Sequence, residues 1–285
     1  MHPEKVIQNT SSDQEFDFRQ SDFKALAQLV YDRSGIVLGD HKKNMVYGRL
    51  AKRLRELALT TFSQYLELLK NSSDESEIEH LINAITTNLT RFFREDHHFN
   101  HVRDVLVPEL IKSKQPKIRM WSAACASGPE PYSLAMTVSD VLKNSSQFNF
   151  KILATDLDTK MLETARNGKY DISIHKDIPV ALRNKFTTVC ADDRGSFEMN
   201  ESIRKLISFN RMNLMKDWPL KGGLDAIFCR NVLIYFNAED KRRIIEQLIG
   251  KLRVGGFLYM GHAESIMNPP EMIKNVGPTT YQKVQ

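Results

Sequence analysis

Short apolar runs that alternate with amphipathic helical patterns dominate the chain from about residue 118 onward. The runs include IRMWSAAC, FKILATDLD, LDAIFCRNVLIYF and GGFLYMGH, and helical stretches such as PYSLAMTVSDVLK, TKMLETARNG and AEDKRRIIEQLIGKL lie between them. Strands that are apolar on both faces are typical of a mostly parallel sheet covered by helices on both sides. The alternation lapses into a polar, mixed sequence at about 170–210. This lapse predicts a small subdomain inserted before the third or fourth strand of the sheet.

The first part of the chain has a purely helical pattern. Apolar residues recur at helical spacing from Ser21 to Gly35, from Lys43 to Leu57 and from Phe62 to Leu69. The polar stretch NSSDESE that follows is typical of a linker. We therefore expect three regions: a mobile tail at 1–20, a helical domain at 21–75 and an α/β domain at 76–285.

Composition narrows the class of protein. Cys125, Cys190 and Cys229 are scattered and never spaced C-x-x-C, which argues against a disulfide framework or a zinc knuckle and favours a reducing cytosol. No apolar run approaches the ~18 residues of a membrane span, and the first residues lack a signal-peptide core. We expect a cytoplasmic protein with no direct membrane insertion. The net charge of +5 suits a nucleic acid, an acidic protein surface or an anionic membrane equally well.

The carboxyl ends of the predicted strands carry small and acidic residues. Ligands of open α/β sheets bind beyond these ends, near the point where the strand order reverses. In chain order the strand ends offer the small residues ACASG, then Glu130, Asp156, Asn213, Arg230 and Asn231, with Tyr235 a turn later. Taken singly, Gly128 could be an ordinary turn residue, Asp156 a helix cap and Glu130 a partner of a helix dipole. Together they predict one pocket.

The residues of this pocket suit a cationic nucleoside without phosphates. A dinucleotide site needs G-x-G-x-x-G, whereas only Gly128 is present here, and Pro129 and Pro131 each remove an amide donor. A carboxylate at Asp156 can accept hydrogen bonds from both hydroxyls of a ribose, and Glu130 suits an ammonium or another cationic part of the same ligand. These features point to S-adenosylmethionine.

Several segments, taken in order, resemble the chemotaxis receptor methyltransferase family, CheR. They are TTNLTRFFRE, WSAACASGPEPYSLAM, ATDLDTKMLETA, DAIFCRNVLIYF and MGHAES, and IVLGDHKKNMVYGRLAKRLREL resembles the family's amino-terminal helical domain. The resemblance runs from about Phe23 to Tyr281. It implies a class I S-adenosylmethionine-dependent methyltransferase fold, Rossmann-like with a mostly parallel sheet, an N-terminal all-helical domain and a small inserted subdomain. The implied activity is transfer of methyl groups to glutamate side chains of transmembrane chemoreceptors in chemotactic adaptation.

The resemblance also implies site residues. By position, the cofactor contacts fall on Asn88, Thr90, Arg94, Glu130, Asp156, Asn213, Leu214, Arg230 and Asn231. Arg94 and Tyr235 are the candidates for ordering the reacting groups. A glutamate nucleophile with a reference pKa of ~4.3 is ionised at neutral pH, so no general base is required. No metal is expected. The family usually has Gly-Glu-Glu where this chain has Gly128, Pro129 and Glu130.

A basic face on the second predicted helix is the candidate receptor contact. It comprises Arg49, Lys52, Arg53 and Arg55, and positions 49, 52 and 53 share one face. As a bare pattern this is a solvated helix face. The resemblance implies instead that it contacts the acidic cytoplasmic helical region of the receptor, so that charge reversal at Arg53 raises the KM for receptor. We expect a monomer that is recruited to membrane-bound chemoreceptor arrays and binds no nucleic acid.

Two other functions are considered. Methylation of RNA or another nucleic acid would fit the net charge, but the basic helix has only Tyr47 as a nearby stacking platform. A non-catalytic module that senses S-adenosylmethionine and docks on receptors would not need Arg94 and Tyr235. His97, His98 and His101 include an i, i+4 pair able to bind zinc, but the pattern offers no third ligand. We expect a surface or lid role for these histidines.

Overall fold

The computed structural model describes residues 15–71, 75–143, 147–193 and 195–285. The chain divides into two compact units. The first comprises the residues up to Asp32 together with Leu38–Ile85, and the second comprises Arg33–Val37 together with Thr86–Gln285. Of the helices in the described ranges, none combines the length and the apolar character that crossing a bilayer demands.

The first unit is built from helices. Its elements are α1 (Gln20–Ser34), except for the last two residues of that helix, α2 (Lys43–Glu56), α3 (Phe62–Asn71) and α4 (Glu75–Ile85). Phe16 and Phe18, which belong to the segment expected to be a mobile tail at 1–20, are buried in this unit. The Phe18 ring stacks on Phe62 with 3.9 Å between the ring centroids. Aromatic burial therefore fixes the described part of that segment, while the prediction for residues 1–14 lies outside the described residues.

The helical unit extends to Ile85 rather than to the expected boundary at residue 75. Two arginines of α2 attach α4 to the unit. Arg49 Nη1 donates to the Ile85 carbonyl at 2.6 Å, and Arg53 Nη2 pairs with Glu77 Oε2 at 2.5 Å. The first contact satisfies a carbonyl at the end of α4, and the second neutralises a buried carboxylate. The polar sequence that suggested a linker thus includes the start of a packed helix.

The second unit contains a seven-stranded sheet. Its strands are β1 (Lys117–Ala123), β2 (Asn149–Asp156), β6 (Ile207–Arg211), β7 (Leu224–Cys229), β8 (Leu252–Met260), β9 (Ile273–Gly277) and β10 (Thr280–Lys283). The spatial order is β6-β2-β1-β7-β8-β10-β9. The pairs among β6, β2, β1, β7 and β8 are parallel, and β10 is antiparallel to both of its neighbours. The mostly parallel sheet predicted from the apolar runs is confirmed.

Helices cover both faces of this sheet. They are α5 (His97–His101), α6 (Val107–Lys112), α7 (Pro129–Leu142), α8 (Thr159–Asn167) and α11 (Ala238–Lys251). Along β7, Ala226 and Phe228 belong to the core that includes α7, whereas Ile227 and Cys229 belong to the core that includes α11. Successive side chains of a strand point to opposite faces, so a strand buried on both faces is apolar throughout.

A small antiparallel sheet occupies most of the range in which an inserted subdomain was expected, about 170–210. Its strands are β3 (Lys169–Asp171), β4 (Thr187–Val189) and β5 (Ser196–Met199), in the order β3-β5-β4, and α9 (Val180–Phe186) and α10 (Glu201–Arg204) complete it. The last residues of that range form β6 of the main sheet. The insertion therefore precedes the third strand of the main sheet in chain order.

Candidate active site

The carboxyl ends of the central strands lie level with one another. Ala123 at the end of β1 pairs with Thr155 of β2 on one side and with Cys229 of β7 on the other. The segments that leave these three strands therefore begin at the same edge of the sheet. The geometry brings together the loop after β1, Asp156 and the loop after β7, and their forming one ligand pocket stays a prediction.

The backbone at this edge adopts left-handed conformations at residues other than glycine. Ala124, Ala126 and Asn231 have φ of 60°, 48° and 59°. Such conformations are unfavourable for L-residues and persist only where the surroundings hold them. Gly128 has φ of 100°, and a Cβ there would lie 2.8 Å from the Tyr170 hydroxyl, so this position requires glycine. The side chains that follow β1 are small, so the backbone there is not covered by large side chains of its own segment.

Asp156 ties the first two strand ends together. Its Oδ2 accepts from the Ala126 amide at 2.8 Å, and its Oδ1 accepts from the Asp158 amide at 2.9 Å. Burial raises the pKa of Asp156, although these backbone donors oppose the shift. A carboxylate has about four acceptor sites, so capacity for a ligand's hydroxyls remains. The helix-cap alternative applies to its neighbour Asp158, whose side chain accepts from the Lys160 and Met161 amides at the start of α8.

Asn88 also reaches this edge. Its Nδ2 donates to Asp158 Oδ2 at 2.7 Å, and Thr86 Oγ1 donates to the same oxygen at 3.0 Å. The segment that precedes α5 is thereby fastened to the end of β2. Asp158 was not among the predicted site residues, although it stands two residues after Asp156 in the same sequence segment.

Arg230 joins three segments of the edge through its guanidinium. Nη1 donates to Glu130 Oε2 at 3.1 Å, Nη2 lies 3.3 Å from Glu95 Oε2, and Nη2 also donates to the Arg94 carbonyl. The side chain is only 1% exposed, and its guanidinium lies over the rings of Phe99 and Phe228. Arg230 therefore connects the two carboxylates, Glu95 and Glu130, rather than facing solvent.

The two carboxylates beside Arg230 differ in their electrostatics. Burial raises the pKa of Glu130, which outweighs the opposing influence of Arg230 and of the Ser122 hydroxyl that donates to its Oε1 at 2.7 Å. Burial would also raise the pKa of Glu95, but Arg230, His262 and Asn231 lower it to about 2. Glu95 is therefore a fixed negative charge at neutral pH.

Glu95 was missed by the sequence reasoning, although it directly follows Arg94 in the quoted segment TTNLTRFFRE. It also supplies the third side chain that the histidine pattern lacked, because ligand atoms of Glu95, His97 and His98 all lie within 4.8 Å of one another. A divalent cation bound there would lie close to the Arg230 guanidinium, whose charge would oppose it. We therefore assign this cluster no metal role. His101 bonds instead to the Tyr259 hydroxyl at 2.9 Å.

Arg94 and Tyr235 both contact carbonyls of the segment that precedes α5. Arg94 Nη1 donates to the Leu89 carbonyl at 3.0 Å, and the Tyr235 hydroxyl donates to the Thr87 carbonyl at 3.5 Å. Both side chains are half-buried, so each retains an exposed portion. The two residues proposed to order the reacting groups thus border the same stretch of chain.

The other predicted site residues follow β6 or precede α5. Asn213 Nδ2 donates to the Arg33 carbonyl at 2.9 Å, and its Oδ1 accepts from the Met215 amide at 2.8 Å. Leu214 is buried in the core on the α11 side of the sheet, and Thr90 is half-buried. The side-chain amide of Asn213 therefore shapes the loop after β6.

Glu264 is a second residue that the sequence reasoning did not single out. It lies after β8 in the segment MGHAES, and its carboxylate accepts from the Asn231 amide at 2.7 Å and from the Leu233 amide at 2.6 Å. The segment was quoted for its resemblance, but nothing in the local sequence shows that its glutamate reaches the neighbouring strand end.

The basic residues of α2 divide into two pairs in the helical unit. Arg49 and Arg53 contact α4 as described above. Lys52 has its side chain 81% exposed, and Arg55 lies on the surface 3.0 Å from Glu15. Positions 49, 52 and 53 therefore do not form one uniformly solvated face.

The electrostatics of the sheet edge suit a cationic ligand. Glu95 and Glu130 flank the buried Arg230, and Asp156 lies at the neighbouring strand end, where the amides of Ala126 and Asp158 only partly offset its charge. A dry, acidic edge attracts positive charge. The ribose-and-sulfonium ligand inferred from the sequence fits this arrangement in charge and hydrogen-bonding capacity.

The sequence matches two domains of one family. Residues 88–282 match the CheR methyltransferase SAM binding domain, and residues 21–86 match the CheR methyltransferase all-alpha domain. The second range ends one residue after the helical unit seen in the structure.

Three relatives illustrate the similarity. A probable chemotaxis protein methyltransferase of Rhizobium etli is 41% identical over 89% of this chain and 96% of the relative. Chemotaxis protein methyltransferase 2 of Pseudomonas aeruginosa is 37% identical over 94% of this chain and 95% of the relative. The chemotaxis protein methyltransferase of Escherichia coli is 39% identical over 91% and 89%. Matches across both domains at this level show that the chain belongs to the CheR family of S-adenosylmethionine-dependent chemotaxis methyltransferases.

Proposed function

We propose that the protein transfers the methyl group of S-adenosylmethionine to glutamate carboxylates of methyl-accepting chemotaxis receptors, forming methyl esters in chemotactic adaptation. The observation that carries the proposal is the acidic sheet edge formed by Glu95, Glu130 and Asp156, which suits a sulfonium nucleoside, in a chain of the CheR family. Methylation of nucleic acid is not favoured, because the named relatives are chemotaxis protein methyltransferases.

The residues proposed to hold the cofactor border this edge. They are Asn88, Thr90, Arg94, Glu130, Asp156, Asn213, Leu214, Arg230 and Asn231. Asp156 offers carboxylate oxygens to ribose hydroxyls, and Glu130 offers negative charge to the amino-acid portion. The Arg230 side chain is buried, so it acts by fixing Glu130 and Glu95. When bound, S-adenosylmethionine supplies a methyl group on a positively charged sulfur.

The reaction is a direct displacement. An oxygen of the receptor carboxylate attacks the methyl carbon, the carbon–oxygen bond forms as the carbon–sulfur bond breaks, and the bonding pair stays on sulfur. No proton moves, so the scheme uses no general base. Opposite charges disappear as the ester and thioether form, which a site shielded from water favours.

Positioning is then the main contribution of the protein, and it can amount to ~7–11 kcal/mol in well-oriented reactions. Arg94 guides the incoming carboxylate and the carboxylate of the cofactor, and Tyr235 aligns the nucleophile with the methyl group. Both roles predict that Arg94→Ala and Tyr235→Phe lose turnover while the protein stays folded. Wild-type turnover in both variants, with intact cofactor binding, would contradict the roles.

The activity is tested by incubating the full chain with receptor-bearing membranes and methyl-labelled S-adenosylmethionine. We expect label in the receptor that alkali releases, because methyl esters are base-labile. Alkali-stable label in nucleic acid would favour the alternative methyltransferase. Binding of S-adenosylhomocysteine without any transfer would favour a non-catalytic sensing module.

We further propose that α2 contacts the acidic helical region of the receptor through Arg49, Lys52, Arg53 and Arg55. Because Arg49 and Arg53 are engaged within the helical unit, charge reversal at Arg53 would disturb folding as well as docking. Lys52→Glu is the sharper test, since its side chain is 81% exposed. We expect a raised KM for receptor and unchanged affinity for S-adenosylhomocysteine. Lys70→Glu, an exposed lysine on α3, is the matched control, and an equal effect in both variants would argue against a specific contact.

The location and assembly of the protein follow from this role as further proposals. A receptor methyltransferase works in the cytoplasm at membrane-bound chemoreceptor arrays, and one monomer contains both the helical domain and the methyl-transfer site. Co-sedimentation with receptor-bearing membranes, and not with receptor-free membranes, tests recruitment.

A further inference from the structure

A single carboxylate fastens the loop that follows β7. Glu264 Oε2 accepts from the amides of Asn231 and Gly261 at 2.7 and 2.9 Å. Its Oε1 accepts from the amides of Leu233 and Ile234 at 2.6 and 3.3 Å. Glu264 is buried, so these four hydrogen bonds lie in a low-dielectric setting where they are strong. The loop therefore depends on a side chain that comes from the end of a different strand.

The neighbouring glycine is fitted to the same arrangement. A Cβ added at Gly261 would lie 2.6 Å from Glu264 Oε2 and 2.8 Å from the Asn231 amide nitrogen. Any larger residue at this position would push the carboxylate or the loop aside. The close approach involves the same atoms as the hydrogen bonds, and it shows that the residue after β8 and the loop after β7 meet at this point.

The fastened segment connects two parts of the proposed site. Arg230, which holds Glu95 and Glu130, precedes it directly, and Tyr235 closes it. Asn231 has a left-handed φ of 59°, a conformation that asparagine adopts more readily than most residues. Three of the four hydrogen bonds that the Glu264 carboxylate accepts, from the amides of Asn231, Leu233 and Ile234, restrain residues 231–234.

We infer that Glu264 is a positioning residue for methyl transfer, which holds Asn231–Tyr235 in the conformation that presents Asn231 to the cofactor and Tyr235 to the reacting groups. The inference rests on the proposed function, because it assigns Glu264 a role in that reaction. The hydrogen bonds of the Glu264 carboxylate seen among the described residues all come from the backbone, either of the loop or of Gly261.

The first test is Glu264→Gln, which keeps the size of the side chain. In glutamine, an NH2 group replaces one of the two carboxylate oxygens, and this group donates hydrogen bonds instead of accepting them. The two backbone amides that face it therefore lose their acceptor. We expect turnover per folded molecule to fall about 100-fold, as for small misplacements of reacting groups. We expect the dissociation constant of S-adenosylhomocysteine to rise and the KM for receptor to stay unchanged, because docking uses another surface. Gly261→Ala, which keeps the carboxylate but crowds it, should act in the same direction.

Asp225→Asn is the matched control. Asp225 is a buried carboxylate at the other end of β7, where it accepts from the Arg119 amide at 2.8 Å and from Gln115 Nε2 at 2.7 Å. The Asp225→Asn substitution should lower the urea concentration at the midpoint of unfolding, as we also expect for Glu264→Gln. It should not lower turnover per folded molecule.

The outcomes separate the inference from the proposed function. A loss of turnover in Glu264→Gln and Gly261→Ala, but not in Asp225→Asn, supports the inference. Wild-type turnover in the first two variants, or an equal loss in all three, overturns it. If the wild-type chain forms no methyl ester, the proposed function fails. The titration with S-adenosylhomocysteine then decides alone: weaker binding in Glu264→Gln than in Asp225→Asn supports the positioning of Asn231, and equal or absent binding overturns it.

Discussion

The two ends of the central strands use buried carboxylates for different purposes. At the amino end of β7, Asp225 pairs with Arg253 at 2.6 Å and accepts two further hydrogen bonds, so one negative charge meets one positive charge. At the carboxyl ends, Glu95 and Glu130 share Arg230, and Asp156 and Glu264 accept from backbone amides. The first arrangement neutralises its charge, whereas the second leaves an acidic excess.

The backbone differs in the same way. Toward the amino ends of β7 and β8, Gly223 and Gly255 take the left-handed conformations, at no steric cost. At the carboxyl ends, Ala124, Ala126 and Asn231 take them instead. Strain held in residues other than glycine is characteristic of sites where geometry serves a ligand. Lys114 before β1 also takes such a conformation, so the two edges differ in how many of these residues they hold, and the carboxyl edge is the one proposed to bind the cofactor.

Replacing the arginine at each edge should give the largest difference between the edges in the free energy of unfolding. Arg230→Met leaves two largely buried carboxylates without their cation, and we expect a loss of about 3–5 kcal/mol in the free energy of unfolding. Arg253→Met should cost about 1.5–3 kcal/mol, because Asp225 keeps its other donors and the Arg253 side chain is 30% exposed. Urea unfolding of both variants measures the difference. Equal losses of unfolding free energy would mean that Arg230 compensates no more buried negative charge than Arg253 does.

Replacing one aspartate at each edge should separate binding from stability. Asp156→Asn removes acceptor capacity proposed for the ribose, and hydrogen bonds to charged groups contribute about 1.5–3 kcal/mol. We expect S-adenosylhomocysteine to bind about 10–100-fold more weakly by calorimetric titration. Asp225→Asn should bind it as the wild type does. A wild-type dissociation constant in Asp156→Asn would remove Asp156 from the cofactor site.

The sequence predicted the features that depend on neighbouring residues. Apolar runs predicted β1, β2, β7 and β8, and the small residues around Gly128 predicted an open strand end, because periodicity and residue size act locally. Asp156 was expected at the pocket for the same reason, since it terminates a strand.

The features that were missed depend on residues distant in the chain. The pairing of Glu95 with Arg230 requires the strand order and the course of the segment before α5, neither of which leaves a local pattern. The end of the helical unit at Ile85 was missed because Glu77 looks like a solvated linker residue until Arg53 is placed beside it. Glu264 lacked a signal because its partners are backbone amides, which every sequence contains.

A pH titration probes the packing beneath the carboxyl edge. Burial, aided by the charges of Arg230 and His97, lowers the pKa of His98 to about 3. In the unfolded chain the histidine has its ordinary pKa of ~6.5, so between these two values the unfolded state binds a proton that the native state does not. Stability contributed by neutral His98 is present above pH ~6.5 and is lost as the pH falls toward 3. Between pH 7.5 and 5 we expect a loss of about 2 kcal/mol in unfolding free energy.

His98→Gln should flatten this pH dependence, since glutamine can still reach the Thr279 hydroxyl that His98 Nε2 contacts at 3.1 Å. His41→Gln, at an exposed histidine of the helical unit, is the control and should keep the wild-type dependence. An unchanged slope in His98→Gln would place the acid sensitivity elsewhere.

The smallest expected effect compares one neutral donor at each edge. Ser122 Oγ donates to Glu130 at 2.7 Å, and Gln115 Nε2 donates to Asp225 at the same distance. Ser122→Ala and Gln115→Ala should each lower the unfolding free energy by about 1.5 kcal/mol, because each removes a hydrogen bond to a charged acceptor. Only Ser122→Ala should also weaken binding of S-adenosylhomocysteine, since Glu130 then loses one of the two groups that orient it. Equal binding in both variants would mean that Glu130 is held by Arg230 alone and that the edges differ less than their geometry indicates.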